Sequence, residues 1–273
     1  MSEQKPATGP IYRMPTVFGP AIGPRQAPEG VIFDPTTSPK KFCAYVSFRT
    51  DALLLEQMLP EDFTLRGDPI VIVEFGYMTE IDWLAGRGYN MLSVRIPVRF
   101  KHGNDSTVID GFFQPVVWEN MTEPILSGRE ELGWSKIFAE LPAPEKRDGK
   151  IVCRAEWMGF RFLELTLTEI RKSDAAPFAT SPVLHRKYIP TTGQWGEADA
   201  DYITMTPAGG SHARLQEHFT GDASLSVFAP SWQDMPTQHQ CVTYLARLPK
   251  HEYIQAGVYS TVGGKDLSDQ IRF

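Results

Sequence analysis

Tyr89-Asn90-Met91-Leu92-Ser93-Val94-Arg95-Ile96-Pro97-Val98-Arg99-Phe100 alternates with a period of two. Leu92, Val94, Ile96, Val98 and Phe100 take one face; Tyr89, Met91, Ser93, Arg95 and Arg99 take the other. Successive side chains leave a strand on opposite sides, so this is a strand with one face in a core. Working outward, residues 69–81 are rich in β-branched side chains, and residues 42–48 and 112–118 are short apolar runs. Residues 151–170 are long enough for two strands or one bent strand, and residues 183–189, 202–206, 225–228 and 241–248 add further β-like pieces. Thr50 is expected to cap a helix through Leu53, Leu54, Met58 and Leu59, with Pro60 as its stop. Residues 249–259 read as a second helix, and residues 174–182 as a loop. Many strands, few helices and no βαβ rhythm predict a mainly β (α+β) fold, an antiparallel barrel or sandwich with short helices.

The frame around this strand is that of one globular unit. Of 273 residues, 42% are hydrophobic and 22% charged, an ordinary balance for a chain that buries a core. The net charge of -6 argues against a nucleic-acid surface. No stretch without Asp, Glu, Lys or Arg exceeds 12 residues, too short to span a bilayer as a helix. Cys43, Cys153 and Cys241 form no spaced pair, and no signal-peptide pattern opens the chain, so a cytoplasmic, reducing location is expected. Residues 1–30 are rich in Pro and Gly, with Ile11, Tyr12, Met14, Val17, Phe18 and Ile22 spread among them. They are expected to form an extended arm whose apolar anchors lie on the body or on a neighbouring subunit, ahead of a single domain over residues 31–273.

Several chemistries lack their motifs. Gly86-Arg87-Gly88 has no third glycine, Gly263-Gly264-Lys265 is followed by Asp266, and the six histidines are scattered. Gly210-Ser211-His212 lacks the flanking pattern of a nucleophile elbow. No dinucleotide, ATP, metal or other cofactor is therefore expected.

The most informative segment is Gly128-Arg129-Glu130-Glu131-Leu132-Gly133-Trp134-Ser135-Lys136-Ile137-Phe138. Trp134, Ile137 and Phe138 place Lys136 in an apolar neighbourhood. Desolvation disfavours an ammonium, and a neutral amine can attack a carbonyl to form an iminium that acts as an electron sink. On pattern alone, a surface lysine at a strand start, its stem lying on apolar neighbours, is the commoner case. Glu74 is the second candidate, because a carboxylate on so apolar a strand is costly unless paired or used.

Gly-Arg-Glu followed by an aromatic, one residue and a lysine resembles the active-site signature of the acetoacetate decarboxylase family. Phe48-Arg49-Thr50-Asp51, the residue 69–78 strand with Glu74, Ile96-Pro97-Val98, and Ala229-Pro230 with Met235-Pro236 follow in the same order. The resemblance spans roughly residues 40–260. It implies a cone-shaped β-barrel, a homo-oligomer, a Schiff-base lysine at Lys136 and an active-site acid at Glu74. That family is a standard case of a lysine activated by desolvation or a neighbouring cation. Four positions depart from the pattern: Ile137 replaces a second lysine, Ser135 a proline, Met91 a second glutamate, and Lys41 approximately an arginine. With Met91 unable to transfer a proton, Tyr89 and Arg95 on the same strand face become substrate-binding candidates together with Met91 itself, Lys41 and Trp134, Arg95 as a carboxylate clamp.

The resemblance implies a small oxo acid as substrate, first a 3-oxo acid such as acetoacetate undergoing decarboxylation. The same lysine equally serves a pyruvate aldolase-dehydratase or a 2-oxo-alkenoate hydratase. A barrel that only binds a small ligand is the reading from another class.

Overall fold

The computed structural model describes residues 9–103, 107–178 and 180–273. Fourteen strands form one sheet. Its central ladder contains β1 (Lys40–Arg49), β3 (Ile70–Ile81), β4 (Arg87–Lys101) and β5 (Val108–Glu119), with β2 (Phe63–Leu65) on β4 and β6 (Lys136–Phe138) on β5. Beyond β5 come β10 (Val183–Pro190), β11 (Ala198–Thr206) and β14 (Ile271–Arg272). Beyond β1 come β13 (Glu252–Val262), β12 (Arg214–Val227), β9 (Phe160–Lys172), β8 (Lys150–Trp157) and β7 (Glu145–Arg147). Pairing is antiparallel except where β5 meets β6 and β10. The ladder runs as an open path from β14 to β7, and no pairing among the described residues joins its ends. The closed barrel expected above is thus not shown by the pairing. Both ends are blunted as free edges usually are: β14 has two residues, and β7 is the exposed, charged triplet Glu145-Lys146-Arg147.

The alternation of β4 holds. Leu92, Val94, Ile96, Val98 and Phe100 are fully buried in one continuous core with Phe75, Trp118, Phe162 and Leu165. Each such side chain contributes about 1.5–3 kcal/mol of burial. The opposite face of β4 looks into a cavity. Residues 151–170 are two strands, β8 and β9, joined at Met158-Gly159, both with positive φ (47° and 85°), as a tight hairpin turn requires.

Three local readings are corrected. Asp51, not Thr50, caps helix α1 (Ala52–Glu56), its carboxylate accepting from the Leu53 and Leu54 amides, while the Thr50 amide donates to Pro69. Residues 241–248 belong largely to helix α3 (His239–Ala246), where Val242 and Leu245 recur at helical spacing and are buried. Residues 249–259 lie mostly in β13, because β1 and β12 flank that segment and supply hydrogen-bond partners on both edges. Tertiary pairing overrides local propensity there.

Within the single chain the arm is held mainly by charge. Among residues 9–39 there is one 3-10 turn (Thr16–Phe18) and an isolated bridge from Gly23 to Gln26. Tyr12, Met14, Val17, Phe18 and Ile22 are exposed and do not pack on the chain's own body. Charges tie the arm down instead: Arg13 and Arg25 both pair with Glu131 at 2.7 Å, and Arg25 also donates to the Asp266 carbonyl. Residues 1–8 of the arm lie outside the described residues. No helix among the described residues is long and apolar enough to cross a membrane.

Candidate active site

Strand register places the polar face of the sheet in two neighbouring rows. In one, Tyr259 of β13, Cys43 of β1, Gly76 of β3, Met91 of β4 and Glu119 of β5 stand side by side. In the other are Tyr45, Glu74, Ser93, Val117 and Lys136. From this face Glu74, Met91, Ser93, Arg95, Glu119 and Lys136 line a cavity of about 880 Å³, within the range of small-molecule sites. The arm, through Arg25 and Val31 to Pro35, supplies part of its wall.

Lys136 opens β6, but it is no surface lysine: it is 5% exposed. Helix α2 (Thr122–Ser127) runs straight into a π-helical turn, Gly128–Leu132, which ends at Gly133 with φ 78°. Such turns recur at functional sites. The turn is pinned from several sides: Lys187 donates to the Glu130 carbonyl, Gln270 to the Leu132 carbonyl, and Arg129 to the Lys136 carbonyl. Gly128 is needed for space, since a Cβ there would lie 2.4–2.8 Å from the Cδ, Cε and Nζ of Lys136. Lys136 Nζ reaches Glu119 Oε1 at 2.8 Å and donates to the Pro124 carbonyl at 3.0 Å. The Trp134 ring lies 5.1 Å from Nζ and stacks on His185 at 4.8 Å.

Two buried carboxylates face the cavity in contrasting surroundings. Glu74 accepts from Lys41 (3.1 Å), Arg95 (2.9 Å) and the Tyr259 hydroxyl (2.8 Å). Burial pushes its carboxyl upward, but Lys41, Arg95 and Tyr259 together outweigh burial and bring it to about 2. Glu119 has Lys136 as its ion-pair partner, and its Oε2 is buried without a hydrogen bond. Burial therefore prevails, and its carboxyl is raised above the usual range, with Lys136 only partly opposing. Tyr89 lies within the field of Glu119; burial and that charge raise its phenol, against Arg25. His185 is fully buried; burial and then the Lys136 charge push its imidazole down to about 3.

The structure brings all seven residues singled out from the sequence to this cavity: Lys136, Glu74, Arg95, Tyr89, Met91, Lys41 and Trp134. Arg95 is not on a solvated exterior. Its side chain is 16% exposed, its guanidinium lies 5.2 and 5.5 Å from the Phe178 and Phe112 ring centres, and its Nε is buried without a partner. Lys41 reaches Glu74 by passing over Gly76, where a Cβ would come within 2.8 Å of its Cε. Sequence reasoning missed Glu119, Tyr259 and His185. Glu119 carried a legible signal, a carboxylate directly after the apolar run of residues 112–118. Tyr259 was hidden by the helical reading of residues 249–259.

Comparison with known proteins gives the same answer on the fold. A solved acetoacetate decarboxylase superposes with a TM-score of 0.66 at 16% identity, covering 86% of this chain and 88% of that one. The enduracididine biosynthesis enzyme MppR, complexed with the condensation product of pyruvate and imidazole 4-carboxaldehyde, gives 0.61 at 18% identity, covering 96% and 98%. An acetoacetate decarboxylase-like enzyme from Sphingomonas wittichii RW1 gives 0.60 at 18% identity, covering 84% and 92%. No curated protein matches the chain. The acetoacetate decarboxylase family model matches residues 13–265, which span the arm from Arg13, the lysine turn and the cavity strands, and the chain therefore belongs to the acetoacetate decarboxylase family.

Proposed function

We propose that this protein is a Schiff-base lyase acting on a small oxo acid, with Lys136 as its nucleophile. The observation that carries this reading is a buried lysine on a cavity wall whose ammonium has one carboxylate and one carbonyl as its hydrogen-bonding partners among the described residues. The Lys136 amine attacks the substrate carbonyl carbon, water leaves, and the resulting iminium draws electrons from the adjacent carbon.

The second cluster supports an acid as substrate. Lys41 and Arg95 bring two positive charges to the single negative charge of Glu74, so among the described residues the cluster carries one cation in excess on the cavity wall. The unpartnered Nε of Arg95 offers a donor to an incoming carboxylate. The row of Lys136 crosses β4 at Ser93, two residues from Arg95, so Arg95 and Lys136 stand two strand spacings, about 10 Å, apart across the sheet and about 7 Å apart along the strand direction. Long side chains reaching inward from both leave room for a compact oxo acid between them. Glu74, engaged by three donors, serves here as the anchor of that clamp.

The family name points to decarboxylation of a 3-oxo acid such as acetoacetate, in which the bond to the carboxylate carbon breaks and carbon dioxide departs. A second reading is favoured by the clamp: a carboxylate held by charge-assisted hydrogen bonds is stabilised as an anion and is best retained. Pyruvate aldol-dehydration or hydration of a 2-oxo-alkenoate keeps that carboxylate and uses the same iminium. Borohydride reduction in the presence of acetoacetate, and separately of pyruvate, followed by intact mass and peptide mapping, tests the reading. An adduct on Lys136, absent in Lys136→Ala, is expected; release of carbon dioxide then separates the two reactions. No adduct with either acid would sink the Schiff-base reading and leave a ligand-binding protein.

A further inference from the structure

Met91 stands where the family pattern has a second glutamate, and its thioether can move no proton. The register shows where a carboxylate comes from instead. Glu119 is directly opposite Met91 on the adjoining strand β5, and it reaches the lysine that Met91 does not. We propose that Glu119 is the catalytic acid–base residue of the Lys136 reaction, having taken over from the neighbouring strand the task that the position of Met91 cannot perform. This inference rests on the reading of Lys136 as the nucleophile.

Four observations carry it. Glu119 Oε1 is 2.8 Å from Lys136 Nζ, within direct proton-transfer distance. The carboxylate is 1% exposed, so bulk water does not compete for the proton. Its second oxygen, Oε2, is buried and without a hydrogen bond, and Glu119 lines the cavity, so that oxygen is free to address a substrate atom. Glu74 cannot substitute, because two cations and a phenol already occupy it. The titratable groups facing Glu119 are Lys136 from β6 and Tyr89 from β4, with Arg25 of the arm acting on Tyr89. His185 lies in the field of Lys136.

The proton count closes. Lys136 passes one proton to Glu119, and the neutral amine attacks the carbonyl carbon while the carbonyl π pair moves to oxygen. The alkoxide takes the proton from Glu119, and Glu119 then recovers one from the new C–N nitrogen. Glu119 returns that proton to the carbinolamine hydroxyl, which leaves as water as the nitrogen lone pair forms the iminium. Glu119 ends ionised beside the iminium cation, and no redox partner is required.

The test is the pH dependence of borohydride trapping on the full chain, with pyruvate and acetoacetate as probes, for wild type, Glu119→Gln and Glu119→Asp. In the wild type the proton stays within the pair, so trapping is expected to be flat through the neutral range. In Glu119→Gln the amine must lose its proton to solvent. Trapping near pH 7 should fall on the order of 100-fold and climb about tenfold per pH unit as pH rises. Glu119→Asp keeps the acid one methylene further away and should give an intermediate rate with the flat profile, which a merely structural role would not produce. Wild-type rate and profile in Glu119→Gln would overturn the assignment of Glu119 while leaving Lys136 as nucleophile. Should Glu119→Gln fail to fold, a Glu119→Asp profile that climbs with pH would overturn it instead. Absence of any adduct in the wild type would overturn the underlying reading.

Discussion

Glu74 and Glu119 are both buried carboxylates on the same face of the same sheet, one on β3 beside Ser93 of β4 and one on β5 beside Met91 of β4. Their electrostatics are opposite. Glu74 has two cations and a phenol and sits near 2; Glu119 has one lysine and is raised. Burial acts on both in the same direction, so the number of donors decides which way each carboxyl is shifted. A carboxylate with several donors is a fixed charge that positions its partners, whereas one with a single donor is poised to exchange a proton.

Breaking the first member should have the largest effect. Glu74→Gln leaves Lys41 and Arg95 as buried cations without a counter-charge, and a loss of about 3–5 kcal/mol is expected in urea unfolding. The same variant sharpens the comparison in acid. Glu74 is at about 2 in the folded protein against an ordinary 4.5, so its stabilisation is complete above about 4.5 and is lost as pH falls through about 2. That limb of the stability curve should be missing in Glu74→Gln, and an unchanged acid limb would show that the cluster is not paired as described.

Gly128→Ala tests the second member from the side of the lysine. A methyl group there displaces Nζ from Glu119, and borohydride trapping is expected to fall about 100-fold with the fold retained by circular dichroism. Glu119→Gln should cost less stability than Glu74→Gln, about 1–3 kcal/mol, because it leaves one cation rather than two without a counter-charge, and that cation keeps the Pro124 carbonyl. Equal losses in the two variants would erase the distinction. Met91→Glu should have the smallest effect. A second carboxylate directly across from Glu119 repels it, and the trapping rate near pH 7 should change by less than about tenfold.

Much of this arrangement was legible in residues taken singly. The period-two pattern of residues 89–100 places Met91, Ser93 and Arg95 on the face that proves to line the cavity. Lys136 and Glu74 stood out because charged groups in apolar segments require a reason. What stayed hidden depends on pairing between strands distant in sequence. Nothing in the order of residues says that Met91 faces Glu119, 28 positions on, or that Tyr259 reaches Glu74 across 185. The exchange of helix and strand between residues 241–248 and 249–259 has the same origin. Local propensity there is ambiguous, and β1 and β12 decide the outcome from outside the segment.

The arm has a practical consequence for how the protein is handled. Deleting residues up to 35 would remove the wall segment Val31 to Pro35 together with Arg13 and Arg25, the two partners of Glu131 in the lysine turn. A Pro- and Gly-rich leader is the part most readily trimmed, tagged or exchanged when a protein is prepared for assay. Here such trimming would amount to altering the reaction vessel itself, and a truncated preparation that failed to turn over would say nothing against the lysine.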